Sequence, residues 1–428
     1  MDSKPSATPT EGFIKEMLAF WSASGRQSFS LEEALEWCET HHPEINPNRF
    51  SALLRAAAAN RKRKRNHPSR TQPVADLLWQ LTPARFIPYN PTTDPAPGSS
   101  DAAAWVIQLA LQERDDVERA DTLGQYCARL ATAVDALKAP GDKLQEKAEG
   151  LADLVRSDKL ESFLSQVSEL SAAHYFQATY PIGFQNHVEN PGHTTTGPAK
   201  NFDFSFQADG VRFNVEVKAF SKPYDGRSKG GTKYFLPESV KQQMHDDGVK
   251  ITANLSPTLG RFLLDANAQL FRRDDDLNVA LICCNDPDEY ADVFESLHGP
   301  FGIIRSSRVA GDGQTLANSV IPNISLLTNI DAVVVCQIGF LHAAIVNTHR
   351  FNRAYGEEGL RLSEPAVAWD FRHAFPSGFW LHHPPAESKR ELTLHKAFNS
   401  HTRILLDYHK QHGCWQQAVF SLINHSAS

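Results

Sequence analysis

The sequence predicts a chain in two parts: an all-α N-terminal domain closed by a short hairpin, then a mixed α/β (α+β) domain built around a sheet. Three observations lead there. Up to residue 60, apolar side chains recur at helical spacing in three short runs. From about Lys159 to Asn347, strand-like segments are interleaved with helical ones. Within that stretch, residues 201–220 alternate Phe and Val with charged and polar residues at the period of a strand.

Composition bounds what the chain can be. It has 428 residues, 41% of them hydrophobic, enough for two or three packed domains. No apolar run is long enough to span a bilayer, and the N-terminus is polar with no signal core, so the expectation is a cytoplasmic protein with no membrane contact. The six cysteines are scattered without a C-x-x-C pair, which indicates neither a zinc site nor a disulfide framework. The net charge of −7 argues against nucleic acid coating the whole chain but leaves room for a local basic patch.

Taken in order, residues 1–10 read as a disordered leader. Phe13, Met17, Leu18, Phe20 and Trp21 form a first helical stripe, which Gly25 ends. Ser30 and Glu33 make a capping box for a second helix, which Pro43 breaks. Asn46-Pro47 opens a third, running through Phe50, Leu53 and Leu54 to about Asn60. RKRKRNHPSR (61–70) then places six cations in ten positions, and residues 76–82 and 86–91 read as two short strands. Three helices, a basic turn and a hairpin over residues 11–92 resemble a winged helix-turn-helix. That resemblance implies a DNA-binding role for Arg61, Lys62, Arg63, Lys64 and Arg65 between recognition helix and wing, and for Arg49 and Arg55, with Asn48 and Ser51, on the third helix. A solvated charge run and a core helix are the plain alternatives for these two features.

Residues 93–101 are a Pro-, Gly- and Ser-rich linker. Two or three amphipathic helices fill 102–158, as a spacer or a dimerisation surface. A helix is predicted over 159–178, and strands at 201–207, 211–219, 278–284, 302–305, 331–337 and near 341–346. Helices are predicted near 237–247, 256–272 and 288–297. The stretch 351–428 reads as an extension packed on the α/β domain, with one helix over 389–411. Its histidines, His382, His383, His395, His401, His409 and His412, lack ligand spacing and read as surface residues.

Residues 201–220 carry the chemistry. Phe202, Phe204 and Phe206 mark one face of the first strand, leaving Asp203 and Ser205 on the other, and Ala208-Asp209-Gly210 supplies the turn. Val211, Phe213, Val215 and Val217 mark the apolar face of the second strand, opposite Arg212, Asn214, Glu216 and Lys218. Charges this close to a core are costly unless paired or bound to metal. Two convergent carboxylates suit a hard cation, and a neighbouring lysine suits an attacking water or a charged phosphate. The same letters also fit a structural ion pair on a hairpin.

Asp-x₁₂-Glu-Val-Lys on a hairpin preceded by a helix resembles the PD-(D/E)XK nuclease superfamily over residues 159–347, within an expected domain of 159–350. Phe202 stands where the family has proline. The resemblance implies a restriction-endonuclease-like nuclease core in which Asp203 and Glu216 bind Mg²⁺, with Mn²⁺ able to substitute, and Lys218 assists catalysis. It implies a further acidic residue from the preceding helix, for which Glu169 fits and Glu161 is second choice. It also implies a residue from a following helix, here Gln242 or Gln243. The expected activity is Mg²⁺-dependent cleavage of double-stranded DNA by a homodimer, of the restriction or defence type. A non-catalytic DNA-binding regulator and an RNA-cleaving nuclease are the alternatives.

Overall fold

The computed structural model describes residues 9–26, 28–60, 76–82, 84–114, 120–189, 201–219, 238–247, 257–273, 275–285, 287–298, 303–305, 324–346, 365–382 and 389–412. The basic run Arg61 to Arg65 lies outside the described residues. The chain divides into two compact units, residues 1–114 with 138–157 and residues 115–137 with 158–428. No described helix is long and apolar enough to cross a membrane.

Unit 1 opens with α1 (Pro9–Ala23), the two-residue β1 (Phe29–Ser30), α2 (Leu31–His41) and α3 (Pro47–Ala57). The Ser30 hydroxyl accepts the Glu33 N–H while the Glu33 carboxylate accepts the Ser30 N–H, so the capping box is complete. The Asn46 side chain caps α3 by accepting from Asn48 and Arg49. Strands β2 (Leu78–Thr82) and β3 (Arg85–Pro88) pair antiparallel, and β1 adds to β3, giving the order β1-β3-β2. Ile14, Met17, Trp21, Phe50, Leu54 and Phe86 contribute to the core between helices and sheet. The 102–158 segment is shared between the units. Its helices α4 (Ser100–Arg114) and α6 (Leu144–Arg156) pack on each other in unit 1, whereas α5 (Ala120–Leu137) belongs to unit 2. Asn60 donates both to the Gln80 carbonyl and to Glu149, fastening α6 beside β2.

Unit 2 is a six-stranded mixed sheet in the order β4-β5-β6-β7-β8-β9. The hairpin is β5 (Asn201–Ala208) and β6 (Val211–Ala219), joined at Asp209 (φ 49) and Gly210 (φ 79). Two consecutive positive φ angles are what a tight hairpin turn with the sheet's twist requires, and Asp-Gly supplies them. Strands β7 (Asp276–Cys283) and β8 (Ala332–Cys336) run parallel to β6, and β9 (Ser377–Trp380) returns antiparallel. A buried amide contact, from Asn214 Nδ2 to Asn278 Oδ1 at 2.9 Å, marks the β6–β7 register. A one-residue slip would break it and turn every side chain to the wrong face.

Helix α7 (Leu160–Thr179) covers one face of the hairpin, where the Phe176 ring stacks on Phe204 and Phe206 at centroid distances of 5.6 and 4.5 Å. On the other face of the sheet, α9 (Pro257–Gln269) covers the hairpin strands and α10 (Pro287–His298) covers β8, through Leu259, Leu263, Tyr290 and Phe294. Helix α8 (Glu238–Asp246) lies before α9 in the chain.

Several sequence expectations need correction. The segment near 341–346 is not a strand but part of α11 (Ile338–Val346), almost wholly buried. A helix apolar on every side gives no periodicity to distinguish it from a core strand. Residues 303–305 form a single 3-10 turn. Strand β4 (Gln185–Glu189) is a half-exposed edge with no apolar alternation, and β9 is only four residues long, so neither left a clear signal. After α12 (Pro365–Trp369), the helix expected over 389–411 is two, α13 (Lys389–Ala397) and α14 (Thr402–His412). The break falls at Asn399 (φ 48), a residue type that tolerates the left-handed region, and the Ser400 and Thr402 hydroxyls there accept the Gly378 N–H of β9. His382, His395 and His401 are half-buried rather than fully exposed, and burial lowers the pKa of the last two.

Phe176 also meets Phe371 and Phe398, at 5.2 and 4.9 Å, so it ties α7 to the hairpin and to the C-terminal segment. Phe176→Ala is expected to cost about 3–5 kcal/mol of unfolding free energy, measured by urea denaturation; a loss below about 1 kcal/mol would mean that α7 is held chiefly by other contacts.

Candidate active site

The polar side of the hairpin is not a solvent face. Ser205, Asn214 and Glu216 are buried, the last with only 1% of its surface exposed, and α9 packs against both strands. The strict alternation expected of β5 also fails at Asp203. Phe204 and Phe206 stack on α7, whereas Phe202 joins the cluster containing Leu259 and Leu263 of α9. In β4 the neighbouring His187 takes φ 50, outside the strand region. The register pairing Asn186 with Phe204 and Val188 with Phe202 leaves His187 opposite Asp203.

The backbone ladder between β5 and β6 ends at Phe204 and Val215. Beyond it, the Asp203 carboxylate accepts the Val217 N–H at 2.7 Å, replacing a backbone carbonyl. Asp203 thus sits where the strands part, beside Glu216. The Lys218 ammonium donates to Glu216 Oε1 and to Gln269 Oε1 of α9, the latter at 2.8 Å. Gln269 in turn donates to the Asn201 carbonyl at 3.2 Å, which fixes its amide. Glu216 Oε2 is buried and has no hydrogen-bond partner among the described residues. From α7, Glu169 reaches the same place: one carboxylate oxygen each from Glu169 and Asp203 and a ring nitrogen of His187 lie within 4.8 Å of one another.

Electrostatics follow from the geometry. Burial pushes the Glu216 carboxyl up to about 8, helped by the charge of Asp203 and to a lesser extent Glu169, against the opposing effect of Lys218. Asp203 is also raised by burial, with the Val217 N–H and the Lys218 and His187 charges pulling it back. Two carboxyls that resist ionisation side by side form a site that a cation would stabilise.

The sequence-derived candidates divide as follows. Asp203, Glu216, Lys218 and Glu169 come together. Gln242 and Gln243 stand exposed on α8, where Gln242 donates to Asp246 of its own helix; the amide that touches Lys218 is Gln269. Sequence reading missed Gln269 and His187. Nothing local marks Gln269, which sits at the end of an ordinary amphipathic helix. His187 lies in the edge strand whose pattern was too weak to read. In unit 1, Asn48 and Arg49 are exposed on α3, whereas Arg55 is half-buried with its Nε unpartnered among the described residues. No family model, curated protein or solved structure matches this chain.

Because Glu216 binds a proton in the folded state from about pH 4.5 to 8 that the unfolded chain has lost, its burial reduces stability as pH rises through that window. Glu216→Gln removes the penalty. In EDTA the variant is expected to match wild type near pH 4.5 and to exceed it above pH 8. An uncompensated buried polar group costs about 1–3 kcal/mol, and each kcal/mol moves Tm by about 2–4 °C in a domain of this size. A Tm difference that does not change between pH 4.5 and 8.5 would place the charge of Glu216 elsewhere.

Proposed function

We propose that this protein is a metal-dependent endonuclease that hydrolyses phosphodiester bonds of double-stranded DNA, with Asp203, Glu216, Glu169 and Lys218 as its active site. The observation that carries this reading is the buried, unpartnered Oε2 of Glu216 beside Asp203 at the point where the hairpin strands part. An orphaned carboxylate oxygen in a core is expensive unless a cation completes it. The donor set suits a divalent ion, held by Asp203 and Glu216 with Glu169 alongside. The placement of these residues on adjacent strands, with a helix supplying a third acid, supports the resemblance to PD-(D/E)XK nucleases.

When bound, a divalent ion would polarise a phosphodiester oxygen and lower the pKa of a bound water. The protein's own residues would do the rest. Lys218, held by Gln269 and Glu216, is positioned to donate to a non-bridging phosphate oxygen and to offset charge developing there. The Val217 N–H fixes the Asp203 carboxylate in one orientation. Leu259 and Leu263 pack with Phe202 in the apolar layer next to Asp203.

The DNA reading draws support from unit 1. Three helices with a short strand between the first and second, followed by a hairpin, in the sheet order β1-β3-β2, is the arrangement of a winged helix, with α3 as recognition helix and Arg49 on its exposed side. We take the basic run Arg61 to Arg65 as its phosphate contact. Cutting both strands requires two active sites, so the proposed working form is a homodimer. A restriction or other defence role fits that combination.

The test is cleavage of plasmid and phage DNA, methylated and unmethylated, with Mg²⁺, Mn²⁺ or EDTA. Wild type is expected to cut only with metal, and Asp203→Ala and Lys218→Ala each to lose at least about a hundredfold in rate. Tight DNA binding with no cutting under any condition would instead identify a non-catalytic regulator, and cutting confined to RNA would replace the substrate.

A further inference from the structure

His187 has two features that an ordinary surface histidine lacks. It holds φ 50 in the middle of a strand, in the left-handed region that non-glycine residues uncommonly adopt. It also brings a ring nitrogen within 4.8 Å of carboxylate oxygens of both Glu169 and Asp203. A regular strand residue opposite Asp203 would not be expected to carry that strain. Independently, Glu216, 1% exposed, keeps an oxygen without a partner in the same corner of the fold.

Resting on the reading of Asp203 and Glu216 as metal ligands, we propose that His187 supplies a nitrogen ligand to the same ion, so that the site takes a first-row divalent transition ion in preference to Mg²⁺. Mg²⁺ favours oxygen donors in near-ideal octahedral geometry and sheds water reluctantly, so an imidazole adds little to its binding. Imidazole is a good ligand for first-row transition ions, and the carboxylates of Glu169 and Asp203 beside the His187 ring combine the donors that Mn²⁺ and its neighbours accept. The strained backbone at His187 then accompanies the placement of its ring nitrogen beside the Glu169 and Asp203 carboxylates.

The experiment uses the full chain and Mn²⁺ alone or Mg²⁺ alone as probe, in wild type, His187→Asn and Asp203→Asn. Asparagine tolerates the left-handed backbone, so His187→Asn keeps the fold while removing the imidazole; an unchanged thermal midpoint verifies this. Pulsed EPR of bound Mn²⁺ is expected to show a ¹⁴N coupling in wild type that is lost in His187→Asn. Mn²⁺ affinity should fall at least about tenfold in that variant, with Mg²⁺ affinity little changed. Bound Mn²⁺ without ¹⁴N coupling, or Mn²⁺ affinity unaltered in His187→Asn while Asp203→Asn abolishes binding, overturns the inference and leaves the carboxylate site standing. Absence of Mn²⁺ binding in wild type, or binding indifferent to Asp203→Asn, overturns both. Imidazole-bound Mn²⁺ in a protein that cuts no DNA upholds the inference and removes the nuclease reading.

Discussion

The packing of Phe176 on Phe204 and Phe206 is the contact on which the rest of the site depends. Phe176 and Glu169 are seven residues apart on α7, two turns of the same helix face. Stacking the phenylalanine on β5 therefore sets both the distance and the rotation at which the glutamate approaches Asp203. Phe398 closes over the same ring from the C-terminal segment, so residues far apart in sequence hold one helix against one hairpin. A helix free to roll by one residue, about 100°, would carry Glu169 away from the sheet while leaving most of its apolar surface buried. The aromatic cluster thus contributes specificity of position as well as burial.

Against that scaffold the carboxylates are held in an unfavourable setting. Glu216 lies in the third strand of six, covered by α9, and its charge is opposed by both burial and Asp203. Lys218 and the Val217 N–H offset part of the cost, and neither satisfies Glu216 Oε2. Natural proteins tolerate such local conflict mainly where function uses it. A cation binding there would relieve the repulsion between the two carboxyls and complete the orphaned oxygen, so the cost of the site and an affinity for metal would have one origin. The strained backbone of His187 belongs to the same corner and has the same character.

How much of this was legible in the sequence depended on whether a residue's role is written in its neighbours. The hairpin was readable because Phe and Val alternate on both strands and Asp-Gly fills the turn. The capping box at Ser30 and the Asn46 cap were readable because they are local hydrogen-bond patterns. Glu169 could be singled out because Ala172 and Ala173 follow it, small residues that let a helix lie close to a sheet. Gln269 and His187 could not. Their roles are set by tertiary packing, one at the end of α9 and one in an edge strand of exposed, mostly polar residues. Apolar alternation also overstated its own regularity: Phe202 reads as a companion of Phe204 and Phe206, yet it packs with Leu259 and Leu263 of α9. The same limitation made α11, apolar but for the buried His342, read as a strand.

Whether these carboxylates hold a metal is tested most directly by anomalous diffraction from crystals of the wild-type protein soaked in Mn²⁺. A single strong peak bonded to Asp203 and to Oε2 of Glu216, with Glu169 beside it, is the predicted result. No peak at that position in well-occupied soaks, or a peak bound only elsewhere on the molecule, would contradict the metal site and leave the Glu216–Lys218 pair as a buried structural contact.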